Sequence, residues 1–345
     1  MPRIDIKPDP CFERLRRTLT LEGKPDRLPL SDFSIDGSVM SWVLGLDGGA
    51  GRRGGRALTR GEVLEFFIAS GYDYVCIWPH YDFLVSSASD REGMGRIRTM
   101  GDLMGGDWPW RDLDSVSYGN LTDMAAIMPE EMKVIILSHD IFTWVWEDMG
   151  FTHFCNCLYE DMGLVEELFR QIGHAVCTIT ERAAEALGDR LGAIWYADDL
   201  AFNTGTFVDP KVYRDNLFPW VRRISSLASS MGAPLIYHSD GLLWDVFDDF
   251  ADMGVSAIHP LEPKAMDAAE VKARRGGQFC LMGNVDLDLL SRGTPEEVAD
   301  MVADRIGVLG RGGGYCVGSS NTVPAYVNPL NFKAMVEATF RHGWL

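Results

Sequence analysis

The sequence is poor in positive charge. Its 345 residues include 32 Lys and Arg against 50 Asp and Glu, which gives a formal net charge of −18 at pH 7. Proteins that bind nucleic acids without sequence preference, or that bind anionic membrane surfaces, depend on an excess of basic side chains. The charge balance therefore argues against both functions and favours a protein that acts on a small molecule.

The chain also lacks the long apolar runs of membrane and exported proteins. No uninterrupted apolar segment approaches the roughly 20 residues of a membrane-spanning helix, and residues 1–8 (MPRIDIKP) lack the apolar core of a signal peptide. The seven cysteines are odd in number and scattered, unlike a dense disulfide framework. We therefore expect a cytoplasmic protein with reduced thiols.

What the sequence does contain is an alternation of strand-like and helix-like segments without a long linker. Short apolar runs near positions 28, 72, 133, 193, 234, 255, 278 and 313 predict eight strands. The helical segments between them make the strands parallel by the crossover rule. This pattern predicts an α/β fold, a (β/α)8 TIM barrel formed by residues 1–345 as a single domain, with an N-terminal helical extension over residues 10–25.

Local patterns add detail to this prediction. Thr294-Pro-Glu-Glu297 is typical of a helix start, with Thr as the cap and Glu297 completing a capping box. Gly48–Gly55 has no periodicity and is interpreted as a loop or lid, since it lacks the glycine spacing of a phosphate loop. The irregular segment Tyr81–Asn120 is interpreted as an insertion over the substrate mouth.

Polar side chains follow the predicted strands, one strand after another. The chemistry of a (β/α)8 barrel lies at the C-terminal ends of its strands, so these side chains should converge on one mouth. A single Asp or His after a strand is more often a helix cap than a ligand, and only the recurrence favours a functional site. The residues are Asp32, His80, His139, Asp198, Asp199, His238, Asp240, Glu262, Asn284, Asp286, Cys316 and Asn321.

Four of these residues predict a zinc site. His238, Asp240, Glu262 and Cys316 offer imidazole, carboxylate and thiolate groups, and four such ligands suit a tetrahedral ion. The alternative is a hydrogen-bonded pair of His238 and Asp240, with Cys316 buried and inert. The spacing by itself leaves both interpretations open.

Two further groups carry weaker chemical signals. The segment from His153 to Cys157, with Cys155 between them, could form a metal or redox motif, but it lies where a helix is expected to begin and has no second cysteine pair. Asp198 and Asp199 are adjacent carboxylates, so mutual repulsion could raise one pKa for proton transfer. The alternative is that one of the two caps the next segment.

Several motifs together resemble the uroporphyrinogen decarboxylase superfamily, including its methyltransferase branch, over nearly the whole chain. The resemblance implies a TIM-barrel enzyme and is less specific for the reaction. It is carried by Leu15–Pro29, Tyr196–Leu200 (YADDL), His238–Gly241 (HSDG), Pro260–Glu262 (PLE), Gly283–Asp286 (GNVD), Gly293–Val298 (GTPEEV) and the glycine run before Tyr315.

Within this superfamily the resemblance favours the methyltransferase branch. The decarboxylases carry an arginine-rich stretch after the first strand that receives substrate carboxylates, whereas residues 31–37 here read SDFSIDG. The methyltransferases, and the related cobalamin-independent methionine synthases, hold zinc with a His-x-Cys pair, a later Glu and a Cys near the last strand. His238, Glu262 and Cys316 match that pattern in place, and Asp240 stands where a Cys is common. Fewer thiolates leave a harder Lewis acid, which suits an oxygen-bound methyl group.

The resulting hypothesis is a zinc-dependent methyltransferase that moves a methyl group between a small substrate and a corrinoid carried by a partner protein. The substrate is expected to be a methyl ether, such as a methoxylated aromatic, or a thiol. The alternatives are a metal-independent, decarboxylase-like lyase and a non-catalytic ligand-binding barrel. The resemblance also raises a homodimer as an expectation, because relatives are often dimers. Proton transfer is assigned to Asp198, Asp199, His139 or His80, and substrate binding to Asp32, Trp78, Trp144, Trp146, Phe202 and Asn284.

Overall fold

The structure is a computed structural model that describes residues 3–46, 57–80 and 95–345. The predicted loop over Gly48–Gly55 lies outside the described residues, and so do residues 81–94 of the predicted insertion. Short helices occupy part of the described remainder of that insertion. Its base is closed by an antiparallel bridge, in which the amide of His80 donates to the carbonyl of Ser117 at 3.1 Å.

Seven parallel strands form one curled sheet. The strand order is β1-β2-β3-β6-β7-β8-β9, and every neighbouring pair is parallel, as the alternation with helices predicted. A small antiparallel hairpin, β4 with β5, follows the third strand. The strands are β1 Tyr74–Ile77, β2 Lys133–Ser138, β3 Leu191–Ala197, β4 Ala201–Phe202, β5 Gly205–Thr206, β6 Leu235–His238, β7 Ala257–His259, β8 Cys280–Val285 and β9 Tyr315–Ser319.

Helices connect the strands and cover the sheet. The predicted helix start at Thr294 is confirmed, since Thr294 and Glu297 form the complete capping box. None of the helices in the described ranges has both the length and the apolar run needed to cross a membrane. The helices are α1 Phe12–Leu19, α2 Gly37–Leu44, α3 Arg60–Ala69, α4 Met100–Gly105, α5 Gly119–Ile127, α6 Phe142–Met149, α7 Phe151–Glu160, α8 Met162–Leu187, α9 Pro210–Val212, α10 Phe218–Ser230, α11 Phe247–Asp252, α12 Ala268–Arg275, α13 Leu287–Arg292, α14 Pro295–Leu309 and α15 Pro329–His342.

The core lies on both faces of the sheet. Residues 134–137 of β2 have no exposed surface, and the same holds for Trp195 and Tyr196, which are consecutive in β3. Consecutive side chains of a strand point to opposite faces, so a strand buried throughout must be covered on both sides. This explains why the strands read as continuous apolar runs.

The predicted first strand, at residues 28–33, does not form a regular strand. Its parallel pairing is limited to a bridge between Leu30 and Val317 of β9, supported by bonds from the Ser31 amide to the Val317 carbonyl and from the Val317 amide to the Pro29 carbonyl. Pro29 has no N–H to donate. No backbone bridge joins this segment to β1 within the described residues, so the eighth strand of the barrel remains a prediction.

Side chains make the connection to β1 instead. The Tyr74 hydroxyl lies 2.9 Å from the Asp32 amide and 3.0 Å from the Asp32 carbonyl. The Asp32 carboxylate accepts from the Tyr72 hydroxyl at 2.6 Å and from the Ser319 amide of β9 at 2.9 Å. Asp32 is fully buried. It therefore ties the first and last strands together, in a structural position that the prediction of a substrate-binding role did not anticipate.

Replacing Asp32 by alanine should destabilise the fold, because the Tyr72 hydroxyl and the Ser319 amide would both lose a buried partner. We expect the free energy of unfolding to fall by roughly 2–4 kcal/mol. Asp32→Asn keeps an acceptor oxygen of the same shape and should cost less. Urea unfolding followed by circular dichroism measures both variants; an Asp32→Ala protein as stable as wild type would contradict this role.

Candidate metal centre

Two neighbouring strands bring three potential ligands together. Ala197 of β3 pairs with His238 of β6, so the residues that follow these two strands, Asp199 and Asp240, lie side by side. The Asp240 amide donates to Asp199 Oδ1 at 2.9 Å. One ligand atom each from Asp199, His238 and Asp240 lies within 4.8 Å of the other two.

The geometry of this group fits a divalent cation. His238 Nε2 lies 3.6 Å from Asp199 Oδ1, which is too long for a hydrogen bond. It is close to the separation of about 3.4 Å that tetrahedral geometry requires when two ligands sit roughly 2.0–2.1 Å from zinc. Asp240 Oδ1 is buried and has no hydrogen-bond partner within the described part of the chain. A cation would satisfy this oxygen, and the three ligands would leave a coordination position open, as in catalytic zinc sites.

The electrostatics of the group also favour a cation. Burial together with the charges of Asp199 and Glu262 raises the pKa of Asp240 to about 8, against an opposing hydrogen bond from Asn321. Burial lowers the pKa of His238, while the charge of Asp199 acts in the opposite direction. A positive ion would therefore stabilise the ionised carboxylate and the neutral imidazole, the forms that bind metal.

A second histidine, His259, contacts the other ring nitrogen of His238. His238 Nδ1 lies 2.8 Å from His259 Nδ1 of the neighbouring strand β7. Nε2 is therefore the ring nitrogen of His238 that faces the carboxylates. The ring of Phe33 packs against both imidazoles, at centroid distances of 4.7 and 5.4 Å.

Glu262, one of the predicted ligands, lies at the edge of the group. Its Oε2 accepts from the Gly241 amide at 3.0 Å, and the Asn203 amide lies 3.3 Å from both carboxylate oxygens, oriented so that its nitrogen donates. The charge of Glu262 contributes to the raised pKa of Asp240. Glu262 is nevertheless outside the set of three atoms within 4.8 Å.

The structure does not bring Cys316, the other predicted ligand, into the group. Cys316 lies inside β9 with its Sγ 3.7 Å from Cys280 Sγ, and burial keeps its pKa well above the usual value. The chain reaches Asp240 only after β9 ends, where Asn321 Nδ2 donates to Asp240 Oδ2 at 2.6 Å. Where the sequence predicted the thiolate of Cys316, Asp240 instead contacts the side-chain amide of Asn321. Asp199, for which proton transfer was predicted, lies instead among the potential ligands.

Asp198 is a structural anchor, in contrast to the predicted catalytic role. Its carboxylate accepts from the backbone amides of residues 141–143 at 2.7–2.9 Å, from the Thr143 hydroxyl at 2.9 Å and from the Tyr196 hydroxyl at 2.6 Å. These bonds satisfy the orphan amides at the start of α6. Burial raises the pKa of Asp198 to about 6, and no lone pair is left for a substrate proton.

The two predicted proton-transfer histidines are not part of the group of three. His139 packs against Trp144 at a centroid distance of 5.2 Å, and burial lowers its pKa to about 3. It therefore stays neutral at physiological pH. His80 is exposed at the base of the insertion, opposite Ser117.

The predicted aromatic residues differ in their distance from the centre. Trp78 packs edge-on against Phe33 at 6.1 Å, one ring away from His238. Phe202 lies on the β4–β5 hairpin, and its carbonyl accepts from the Leu242 amide at 2.9 Å, in the turn that follows His238. Asn284 is fully buried and donates to the Leu261 carbonyl at 2.7 Å, while its side-chain oxygen has no hydrogen-bond partner within the described residues, so its substrate-binding role stays a prediction.

The second candidate motif lies on α7. Cys157 Sγ is 3.5 Å from His153 Nε2, one helical turn away. Among the described residues this pair belongs to no group of three potential ligands. Two ligands do not make a structural zinc site, so the motif gains no support.

Comparison with known proteins agrees with the predicted resemblance. The family model for uroporphyrinogen decarboxylase (URO-D) matches residues 128–342, which include the whole candidate centre. The chain belongs to the uroporphyrinogen decarboxylase family. It is 28% identical over 170 residues to the uroporphyrinogen decarboxylase of Psychromonas ingrahamii, a stretch that covers 47% of each protein. The URO-D-like chain thus spans about half the length of the curated relative it matches.

A solved structure shares the fold over nearly the whole chain. The methyltransferase from Methanosarcina mazei superposes with a TM-score of 0.69 and 16% identity, over 96% of this chain and 99% of that one. The fold shared with this structure therefore extends beyond residues 128–342, which the family model matches.

The raised pKa of Asp240 predicts how the stability of the metal-free protein depends on pH. The folded state holds this proton up to about pH 8, whereas the unfolded chain releases it in the ordinary Asp range. The contribution of Asp240 to stability should therefore fall as the pH rises towards 8 and level off above it.

Asp240→Asn removes this titration and keeps the acceptor for Asn321. The metal-free variant should lose less stability than wild type between about pH 6 and about pH 9, measured by urea unfolding in the presence of a chelator. Equal losses in the two proteins would show that Asp240 titrates normally.

Proposed function

We propose that this URO-D-family protein is a metal-dependent methyltransferase that moves a methyl group between a small oxygen-containing substrate and a corrinoid on a partner protein. The observation that carries the proposal is the group Asp199–His238–Asp240, in which one nitrogen and two carboxylate oxygens lie close enough to hold one ion. We take the ion to be zinc, because this donor set and an open position are typical of catalytic zinc.

The donor set favours an oxygen-bound methyl group over a thiol. No sulfur lies in the group, since the thiol of Cys316 packs against Cys280. Oxygen ligands leave the ion hard, and a hard ion prefers an oxygen atom in its open position. When bound, the ion would supply Lewis-acid polarisation of the ether oxygen. The substrate class that follows is a methyl ether, such as a methoxylated aromatic.

The residues of the chain would orient this substrate. Trp78 and Phe33 form an aromatic wall next to His238, and Phe202 lies exposed on the hairpin fixed to the turn at Leu242. A methoxylated ring would find apolar surface beside the open coordination position, as small-molecule sites generally provide. The corrinoid partner, a homodimer and a cytoplasmic location belong to the same proposal.

Glu262 lies next to the centre and would pass a proton taken up from solvent to the leaving alkoxide. Oε2 of Glu262 is held by the Gly241 amide, and Asn203 lies beside both oxygens. We assign to Glu262 the proton transfer that Asp198 is not free to perform. The carboxylates of Asp199, Asp240 and Glu262 also disfavour a substrate as rich in carboxylates as a porphyrinogen.

Metal analysis of purified, untagged protein tests the proposed centre. We expect about one divalent ion per chain in wild type and nearly none in His238→Ala or Asp199→Ala, because each loses one of the three proposed ligands. Cys316→Ala is the matched control and should keep the wild-type metal content. Loss of metal in Cys316→Ala, or full occupancy in His238→Ala, would overturn the ligand assignment.

Methyl transfer can be followed with Co(I) cobalamin in place of the partner protein, from the change in its visible spectrum on methylation. Wild type should demethylate a methoxylated aromatic faster than the corresponding methyl thioether. His238→Ala should slow the reaction by at least about 100-fold through loss of the Lewis acid. Equal rates in His238→Ala and wild type would remove the metal from the mechanism.

A further inference from the structure

We propose that His259 is a positioning residue for the metal centre, because its Nδ1 accepts the Nδ1–H of His238 and thereby directs the Nε2 lone pair of His238 towards the ion. The proposal rests on the proposed metal-dependent function. It concerns a side chain that would not touch the metal or the substrate.

The two imidazoles are held in contact by the strands that carry them. His238 and His259 are paired residues of β6 and β7, and their rings stack with centroids 5.0 Å apart. Their Nδ1 atoms are 2.8 Å apart, a hydrogen-bond distance. Such a bond holds a single proton, so one ring must donate and the other must accept.

The chemistry of a metal ligand decides which ring donates. A neutral imidazole carries one N–H, and a nitrogen that binds a metal cannot carry it. With the ion on Nε2 of His238, the proton of that ring must lie on Nδ1. His259 Nδ1 is then the acceptor, and its own proton lies on Nε2. Metal-binding histidines commonly donate their second nitrogen to such a partner, which fixes both the tautomer and the ring orientation.

Among the described residues, the His259 ring has no hydrogen-bond partner other than His238. His259 is fully buried, with the edge of Trp195 at 4.8 Å and Phe33 at 5.4 Å. Its Nε2 has no hydrogen-bond partner within the described residues. An apolar ring would fill this aromatic pocket without the desolvation cost of an unpaired nitrogen. The bond to His238 is the polar contact that distinguishes histidine from phenylalanine at this position.

The test compares the Co(II) affinity of wild type with that of three variants, by titration of the visible absorption in competition with a chelator. His259→Leu should weaken binding by about 10- to 100-fold, the usual effect of removing such a partner. His259→Asn places an acceptor near the position of Nδ1 and should remain within about 5-fold of wild type, the orienting bond being kept. Trp195→Phe changes the packing around His259 without touching the bond, and should stay within about 3-fold.

Unchanged affinity in His259→Leu, or equal losses in His259→Leu and His259→Asn, would overturn the positioning role. A wild-type protein that binds no Co(II) would overturn the proposed function itself, and the role of His259 with it. Normal binding by wild type together with unaffected His259 variants would overturn only the present inference.

A measurement on unmutated protein covers the case in which the variants fail to fold. In zinc-loaded, ¹⁵N-histidine-labelled protein, long-range ¹H–¹⁵N spectra should show His238 protonated at Nδ1 and His259 protonated at Nε2. A proton on His259 Nδ1 would reverse the direction of the bond and refute the proposal.

Discussion

The register of three adjacent parallel strands is the constraint on which the candidate centre depends. Ala197 of β3 pairs with His238 of β6, and His238 pairs with His259 of β7. This register places Asp199 beside Asp240 and one imidazole behind the other. A shift of one residue in either pair would turn the side chains to the opposite face of the sheet. The backbone ladders thus hold the three potential ligands next to one another.

Electrostatic repulsion at the strand ends is the cost of this arrangement. Burial together with the neighbouring charges of Asp199 and Glu262 raises the pKa of Asp240 to about 8. Asp240 also carries an oxygen without a partner. A carboxylate with a raised pKa and an unpaired oxygen is typical of functional sites. Asp198 shows the contrast, since its carboxylate is saturated by the start of α6.

Much of this organisation could be predicted from the sequence. Continuous apolar runs predicted the seven strands that form, because a strand buried on both faces has no polar alternation. The capping box at Thr294 and the parallel order follow equally from local chemistry and chain connectivity. The motifs HSDG and YADDL predicted a functional region at residues 196–200 and 238–241, and both contribute to the centre. The family was likewise evident from the sequence and is shown by the match over residues 128–342.

Only the tertiary structure shows which side chains lie close enough together to serve as ligands. A cysteine and an asparagine five residues apart near the last strand look equally able to reach the mouth, and chemistry favoured Cys316. The strand carries Cys316 towards Cys280, and the loop beyond it carries Asn321 to Asp240. In the same way, only the fold shows that Asp198 caps α6 while Asp199 faces His238, and that Asp32 joins the ends of the sheet. Local sequence determines which residues end a strand, because propensity and burial act over a few residues. Which of those ends share a ligand depends on contacts between residues far apart in the chain, and these exist only once the sheet has curled.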